Sequence, residues 1–259
     1  MTGASFFEPL GGGRYRSTEH TVGPWDPGSQ HGGPPAALLG RAIEAESPSW
    51  PATVVRVTVE ILSAVPLREL MVRSRVLRPG RSVELVEAAL EADDQTVMRA
   101  QAWRIRAAEL ELPSHPAIEE PVPPFPAEDL PWPGRSGGYL SAMEWRPAGG
   151  TPGEPGPATI WGRMRYPLVP DEEPTGLQRL LILADSGNGV STVLPWTDWL
   201  FINPELTVHV AAVPRGEWMC LDAQTRVDPH GFGLALSRLF DRERLVGRGA
   251  QSLYIGRRG

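Results

Sequence analysis

The first hundred residues contain one segment with helical spacing of apolar positions, followed by four segments in which apolar and polar residues alternate. The helical segment is Pro34–Glu46, and its two prolines suit the first turn of a helix. The alternation, interrupted by short turns such as RPGRS and ADDQ, predicts strands at Val54–Ser63, Leu70–Leu77, Val83–Ala92 and Val97–Arg106. This order predicts a helix followed by a meandering antiparallel sheet.

The second half of the chain repeats this order. A helix is predicted at Thr175–Leu194, where Thr175 and Gln178 have the spacing of a capping box. The run VTVEILSAVPLRELMV aligns with LTVHVAAVPRGEWMC after deletion of one residue, which matches Thr58 with Thr207, 149 positions later. The segments AQAWRI and AQSLYI align with nearly the same offset. A constant offset indicates an internal duplication.

A stretch rich in proline separates the two halves. Twelve of the 28 prolines fall between Pro113 and Pro157, and proline neither donates a backbone hydrogen bond nor fits an inner strand. We therefore expect an N-terminal unit at 1–107, a surface connector at 108–157 with one short strand at Tyr139–Trp145, and a C-terminal unit at 158–259. One helix wrapped by an antiparallel sheet, present twice, predicts an α+β fold.

Composition narrows the range of functions. All 25 basic residues are arginine, which excludes a lysine Schiff base and a P-loop phosphate site. The formal net charge of −6 gives no basic surface for a nucleic-acid backbone. The single Cys220 can form neither an internal disulfide nor a cysteine-rich zinc site. The sequence has no apolar run of membrane-spanning length, so we expect a soluble, cytoplasmic protein without membrane insertion.

Four segments, taken in order, carry a resemblance to a known family: HGGPPAALLGRAIE after a GPWDP turn, NPELTVHVAAVPRGEW, TRVDPHGFGLALSRLFD and GRGAQSLYIGRR. They resemble the double-hotdog members of the thioesterase-like superfamily, of the acyl-CoA thioesterase II type. The resemblance implies two hotdog units side by side as a pseudo-dimer, each a central helix wrapped by an antiparallel sheet. It also implies hydrolysis of a fatty-acyl or related acyl-CoA to the free acid and CoA, with no cofactor or metal.

The turn His31-Gly32-Gly33 directly precedes the first predicted helix. Backbone N–H groups at a helix N-terminus are unpaired and partly positive, and glycine lets an oxygen approach them closely. The resemblance implies that this turn polarises the thioester carbonyl as it becomes an oxyanion. The alternative is a tight turn into the helix, with His31 as an additional cap.

Asp185 lies in LADSGNG, near the middle of the second predicted helix, where aspartate has poor propensity. Hotdog thioesterases of the phenylacetate-pathway type carry a catalytic Asp in a similar context, nine residues after the His of their HGG turn. In this chain the position nine residues after His31 is Gly40, and the position nine residues before Asp185 is Gly176. The halves are complementary, which predicts one competent site across their interface. The alternative is a solvated aspartate on the polar face of the helix.

The acyl-CoA thioesterase II resemblance implies a second group of residues, an Asp, a Thr and a Gln that hold and activate a water. These positions fall on Asn203, Thr225 and Gln251. Because Asn cannot accept a proton, the general base must come from elsewhere. Asp185 is the first candidate, and Glu205, expected on the strand face of Asn203, is the second. The alternative is that these are polar positions on a half-exposed strand.

Two other functions stay open at this point. The replacement of Asp by Asn203 favours a protein that binds acyl-CoA or lipid without turnover. Asp26 and His31 have the spacing found in hotdog hydratases, but the Asn-Pro and the second Asp of that pattern are missing. We expect arginine side chains to meet the phosphates of CoA, and the family resemblance favours a homodimer or larger homo-oligomer.

Overall fold

The computed structural model describes residues 4–46, 50–113, 120–130, 136–151 and 153–258. Across these residues thirteen strands form one continuous antiparallel sheet around two central helices. The first half consists of β1 (Phe7–Gly11), β2 (Arg14–Ser17), α1 (Gly33–Ala45), β3 (Ala52–Ile61), β4 (Glu69–Arg78), β5 (Val83–Ala92) and β6 (Gln95–Arg106). The second half consists of α2 (Gly138–Ala142), β7 (Met143–Gly149), β8 (Ala158–Met164), α3 (Gly176–Ala184), α4 (Gly187–Val190), β9 (Trp199–Ile202), β10 (Glu205–Val210), β11 (Met219–Asp228), β12 (Phe232–Phe240) and β13 (Leu245–Arg257).

Helices α1 and α3 form the centre of the core and pack against each other. Leu38, Leu39 and Ile43 of α1 are buried. At Gly40 a Cβ atom would lie 2.6 Å from Leu181 Cδ1, so the missing side chain lets the two helices approach closely. The sheet curves around this pair, with β3 to β6 against α1 and β8 and β10 to β12 against α3.

The two halves join where β3 pairs with β10. Thr58 lies opposite its repeat equivalent Thr207, with the two hydroxyl oxygens 3.2 Å apart. On either side the pairing is reciprocal, because Val57 pairs with Val208 while their repeat equivalents, Leu206 and Val59, pair with each other. This is the arrangement of an isologous dimer interface. The predictions of an internal duplication and of an α+β double hotdog are confirmed.

Three local predictions need correction. The helix expected at Thr175–Leu194 ends at Ala184, and only the short α4 continues it. The strand expected at Tyr139–Trp145 begins later, at Met143, because Tyr139 belongs to α2. Thr175 accepts a hydrogen bond from the N–H of Gln178, but the Gln178 side chain turns to Glu44 instead of completing the capping box.

Part of the proline-rich connector covers the outer surface of the second half. The Trp161 indole N–H donates to the carbonyl oxygen of Pro124 (2.8 Å), and the Phe125 ring meets Trp161 edge-on. Strand β7, also within the connector, pairs with β8 and extends the sheet. Connector residues 114–119, 131–135 and 152 lie outside the described residues.

A buried ion pair fixes the C-terminal end of α1 to the sheet. Arg104 Nη1 donates to the carbonyl oxygens of Ile43 (3.0 Å) and Glu46 (2.5 Å), and its Nη2 lies 2.6 Å from a carboxylate oxygen of Glu84. Both charged side chains are almost fully buried, with 2% of Arg104 and 6% of Glu84 exposed. Loss of either partner leaves an uncompensated charge in the core.

We expect Glu84→Ala to lower the free energy of unfolding by about 3–5 kcal/mol, because it leaves the Arg104 charge buried and unpaired. Glu69→Ala is the control, since Glu69 pairs with Arg16 on the surface and both side chains are about half exposed, a setting in which ion pairs contribute at most about 1 kcal/mol. Urea unfolding of both variants measures the difference. Equal small losses in the two variants would contradict the structural role of the buried pair.

Candidate active site

The N-terminus of α1 from the first half meets the C-terminus of α3 from the second half. Asp185, the C-cap residue of α3, is hydrogen-bonded by the backbone N–H groups of Gly32 and Gly33. A Cβ at Gly32 would lie 2.8 Å from Asp185 Oδ2, and one at Gly33 would lie 2.3 Å from the carbonyl oxygen of Ile182. Glycine at both positions is therefore a packing requirement, since any side chain would separate the two helix ends.

Asp185 is a buried carboxyl enclosed by polar groups. Only 5% of the residue is exposed, so the alternative of a solvated aspartate is wrong. The helix is interrupted here, since α3 ends one residue earlier, and the carboxyl points inward. Asn203 Nδ2 donates to Asp185 Oδ1 (2.9 Å), Gln251 Nε2 donates to the backbone oxygen of Asp185 (3.1 Å), and His31 Nδ1 lies 3.3 Å from Oδ2.

Burial decides the protonation of both titratable groups in the site. It raises the pKa of Asp185 to about 7, although the hydrogen bonds from Asn203, Gly33 and Gly32 act in the opposite direction. Burial lowers the pKa of His31 to about 3, so its imidazole is neutral at physiological pH. His31 Nδ1 accepts the Gly33 N–H (3.0 Å), which assigns the ring proton to Nε2. The carboxyl is thus the group that titrates near neutrality.

The imidazole is held in place by an aromatic ring that the sequence pattern did not identify. Tyr139 of α2 stacks on His31 with ring centroids 3.8 Å apart and planes 15° apart. Its hydroxyl donates to the Ile182 carbonyl oxygen (2.9 Å) and lies 2.8 Å from the Ser186 hydroxyl. Nothing in the local sequence indicates this contact, because the sequence pattern predicts a strand at Tyr139 and the partners of this residue lie more than 40 positions away.

The other residues named from the family pattern divide into two sets. Gln251 bridges the site, since its Oε1 accepts the Asn188 N–H (3.1 Å) while its Nε2 reaches Asp185. Asn203 also contacts the carboxyl. Thr225 does not, because its hydroxyl bonds to that of Ser191 (2.7 Å).

Glu205 is also directed away from the carboxyl of Asp185. Its carboxylate accepts the Ser252 backbone N–H (2.6 Å) and lies 3.3 Å from the Thr207 hydroxyl. The expectation that Asn203 and Glu205 share a strand face is wrong. Strand β10 begins at Glu205, so Asn203 lies in the preceding bend, where two-residue alternation does not apply.

A cavity of about 430 Å³ opens onto this carboxyl; we call it the Asp185 cavity. Its inner end is formed by buried or half-buried polar groups of Gln30, His31, Asp185, Asn188 and Asn203, and its mouth by exposed Ile202 and Tyr254. Trp25, Ile61 and Val65 add apolar walls. Apolar walls with a few convergent polar groups are typical of a small-molecule site.

The pair of residues suggested by the hydratase pattern does not assemble in this cavity. Asp26 lines the cavity, but its carboxylate accepts the Gly28 N–H (2.9 Å) and the Ser29 hydroxyl (3.1 Å) in a local turn. His31 faces Asp185 instead. Among the residues that the structure describes, no three His, Cys, Asp or Glu side chains are grouped so as to hold a metal ion, and no helix is long and apolar enough to cross a membrane.

Comparisons with known proteins are consistent with this geometry. Residues 21–105 match the family model of the acyl-CoA thioesterase N-terminal domain, and residues 118–255 match that of the acyl-CoA thioesterase C-terminal domain. No curated protein matches the sequence.

Solved structures with the same fold cover nearly the whole chain. A hot dog fold protein of unknown function from Alicyclobacillus acidocaldarius has 17% identity and a TM-score of 0.75, with 96% of this chain and 95% of that chain covered. A candidate thioesterase from Novosphingobium aromaticivorans has 22% identity and a TM-score of 0.72, with 97% and 99% covered. Acyl-CoA thioesterase II TesB2 from Mycobacterium marinum has 18% identity and a TM-score of 0.68, with 98% and 95% covered. At these identities the likeness shows the fold.

The raised pKa of Asp185 predicts a pH-dependent contribution to stability. The folded protein keeps this proton up to about pH 7, whereas a carboxyl with the ordinary value of 3.8 loses it near pH 4. Between these values the folded state binds more protons, so the free energy of unfolding falls with rising pH, by at most about 1.4 kcal/mol per pH unit. Asp185→Asn removes this loss. The stability of the variant relative to wild type should therefore rise from pH 4 to 7 and then level off.

The variant must be compared with wild type at each pH, because the lowered pKa of His31 makes the free energy of unfolding of both proteins rise with pH between pH 3 and 6.5. Urea unfolding at several pH values measures the difference. Asp94→Asn, at an exposed turn position, is the control for the loss of one surface carboxylate. A flat difference for Asp185→Asn would show that the carboxyl titrates normally.

Proposed function

The chain belongs to the acyl-CoA thioesterase family, and from this membership and the geometry of the Asp185 cavity we propose that it hydrolyses an acyl-CoA or related acyl thioester to the free acid and CoA. The observation that carries the proposal is a buried carboxyl with a pKa of about 7 at the N-terminus of a helix and the inner end of a cavity. A general base is most effective when its pKa lies near the working pH.

In the proposed reaction Asp185 is the general base. Its carboxylate takes a proton from a water as the water oxygen attacks the thioester carbonyl carbon. The C–S bond then breaks, and the proton passes to the departing thiolate. Asn203 Nδ2 is already bonded to Asp185, which leaves Asn203 Oδ1 as the acceptor that orients the water.

The backbone N–H groups of Gly32 and Gly33 receive different parts in this proposal. Gly33 bonds both His31 Nδ1 and Asp185 and does not line the cavity, so we assign it to positioning. Gly32 also bonds Asp185, but unlike Gly33 it lines the cavity, so we assign its N–H, at the positive end of α1, as the donor that the carbonyl oxygen shares with Asp185. Gln251 has both amide ends occupied by Asn188 and Asp185, and positions the base.

Two residues from the sequence-based proposal lose their assigned parts. Thr225 bonds Ser191, and Glu205 bonds β13, so neither is retained as a water ligand or base. A cytoplasmic location, binding of the CoA phosphates by arginine and assembly into a homo-oligomer remain predictions.

We expect Asp185→Asn to lower kcat at least about 100-fold, since general-base catalysis typically contributes 10²- to 10⁴-fold. Glu205→Gln, a matched loss of one carboxylate on a neighbouring element, should keep the wild-type rate within a factor of about 3, because its contacts do not reach the carboxyl. Thiol release over a panel of acyl-CoA chain lengths measures both. Full activity of Asp185→Asn would exclude the proposed base. If wild type binds acyl-CoA but releases no thiol, the protein is a non-catalytic binding protein. If wild type removes the double-bond absorbance of an enoyl-CoA without releasing thiol, it is a hydratase.

The pKa of Asp185 also predicts the pH profile of the reaction. Because only the ionised carboxylate can accept the proton, kcat/KM should rise about tenfold per pH unit below pH 7 and level off above it. The residual activity of Asp185→Asn should lack this rise. A wild-type profile that is flat between pH 5 and 8 would assign the base to a group other than Asp185.

A further inference from the structure

A small pocket of about 30 Å³ adjoins the inner end of the Asp185 cavity; we call it the Asn188 pocket. The pocket and the cavity share the walls formed by Trp25, His31 and Asn188. The other walls of the pocket are mostly apolar and come from Pro24, Leu140, Ser186, Gly189 and Trp196. A volume of this size holds one small group, such as a hydroxyl or a water, but not an alkyl chain.

Asn188 brings an unpaired hydrogen-bond acceptor to this pocket. Its Nδ2 donates to the Phe201 carbonyl oxygen (2.9 Å), and because that oxygen can only accept, the other end of the amide is Oδ1. Asn188 is 5% exposed. Its Oδ1 accepts no hydrogen bond from the described residues, yet it keeps accessible surface, so a group in the pocket can reach it. An acceptor buried in this way is unfavourable unless a ligand or a water donates to it.

His31 supplies the complementary donor. Because its Nδ1 accepts the Gly33 N–H, the ring proton is on Nε2. This Nε2 has no hydrogen-bond partner among the described residues, and it also keeps accessible surface. The imidazole is stacked on Tyr139, which fixes the direction of the N–H. The wall shared by the pocket and the cavity therefore presents one fixed donor and one fixed acceptor.

The chemistry of the pocket suits an uncharged hydroxyl group. Ser186 adds no further donor, because the Tyr139 hydroxyl donates to the Ile182 carbonyl oxygen and the Ser186 hydroxyl must donate to the Tyr139 oxygen. Of the described residues, none that lines the pocket is charged, since burial lowers the pKa of His31 to about 3. A carboxylate or an ammonium group would therefore be buried without a counter-charge. A hydroxyl can accept from His31 and donate to Asn188 at the same time.

We propose that the Asn188 pocket binds a hydroxyl on the second or third carbon of the acyl group, so that the protein prefers hydroxyacyl thioesters to unsubstituted ones. This inference rests on the proposed function, because it concerns the acyl end of the same ligand. His31 Nδ1 lies 3.3 Å from Asp185 Oδ2, so Nε2 lies only one imidazole width beyond the base. A hydroxyl close to the carbonyl carbon can therefore reach Nε2 while the carbonyl oxygen bonds Gly32.

Calorimetric titration with S-alkyl-CoA thioethers, which cannot be hydrolysed, tests the proposal. S-octyl-CoA and S-butyl-CoA are each compared with derivatives that carry a hydroxyl on the second or third carbon of the alkyl chain. In at least one of the two series, wild type should bind a hydroxylated thioether about tenfold more tightly than the plain one, because the hydroxyl gains two hydrogen bonds in a buried site.

Gly189→Ala should remove this preference. A Cβ at Gly189 would lie 3.5 Å from Trp196 Cη2, an ordinary contact distance, and both residues line the pocket. The added methyl group should therefore occupy the pocket without a clash and exclude the hydroxyl. Gly149→Ala is the matched control, because a Cβ there would lie 3.4 Å from Thr159 Oγ1, on β7 and outside both the pocket and the Asp185 cavity. This control should keep the preference, and circular dichroism confirms that both variants are folded.

Equal affinities for the hydroxylated and plain thioethers in wild type overturn the proposal and indicate that the pocket takes only a water. A preference that Gly189→Ala retains also overturns it, because the hydroxyl then binds elsewhere. Thiol release from the corresponding acyl-CoA and hydroxyacyl-CoA esters is measured on the same wild-type preparation. Thiol release without a hydroxyl preference rejects the pocket but leaves the proposed function intact. A hydroxyl preference in binding without thiol release supports the pocket and rejects the proposed function.

Discussion

The reciprocal pairing of β3 with β10 is the constraint from which the rest of the structure follows. Because Thr58 faces its own repeat equivalent Thr207, the two halves are related by a pseudo-twofold axis, and α1 and α3 must lie side by side in opposite directions. The N-terminus of each helix then meets the C-terminus of the other. A duplicated chain of this kind has two equivalent pairs of helix ends. Only a difference in sequence between the two pairs can make one of them a catalytic site.

At one of these pairs the difference is a buried carboxyl. Desolvation opposes the charge of Asp185, while the positive end of α1 and three hydrogen-bond donors favour it. These effects leave the carboxyl close to half ionised at neutral pH. Glycine at positions 32 and 33 is part of this balance, because a Cβ at either position would contact Asp185 or the α3 backbone. The HGG motif therefore determines the distance between the helix ends as well as the donors available at the site.

The sequence predicts those helices and strands that have a local pattern of apolar and polar residues. The internal repeat adds a prediction of the topology, because it implies two similar units. Strand β5 has the predicted bounds, Val83–Ala92, because this apolar-rich run lies between the turn segments RPGRS and ADDQ. The HGG turn in one half and the LAD segment in the other, interpreted through the family resemblance, predict that His31 and Asp185 belong to one site. Other features depend on tertiary contacts. The packing of Tyr139 on His31 joins residues that lie more than 100 positions apart in the chain. The inward turn of Asn203 follows from a bend between strands, which a two-residue period cannot represent.

The departure of this chain from the acyl-CoA thioesterase II pattern at Asn203 is explained by its neighbour. Asn203 Nδ2 lies 2.9 Å from Asp185 Oδ1. An aspartate at position 203 would bring two buried carboxyl groups together, and like charges at that distance cannot both ionise. An amide instead donates to the carboxylate and lowers its pKa. The presence of Asp185 and the change from Asp to Asn at position 203 are therefore physically coupled. The site keeps one negative charge, and that charge lies at the N-terminus of α1, where the helix stabilises it.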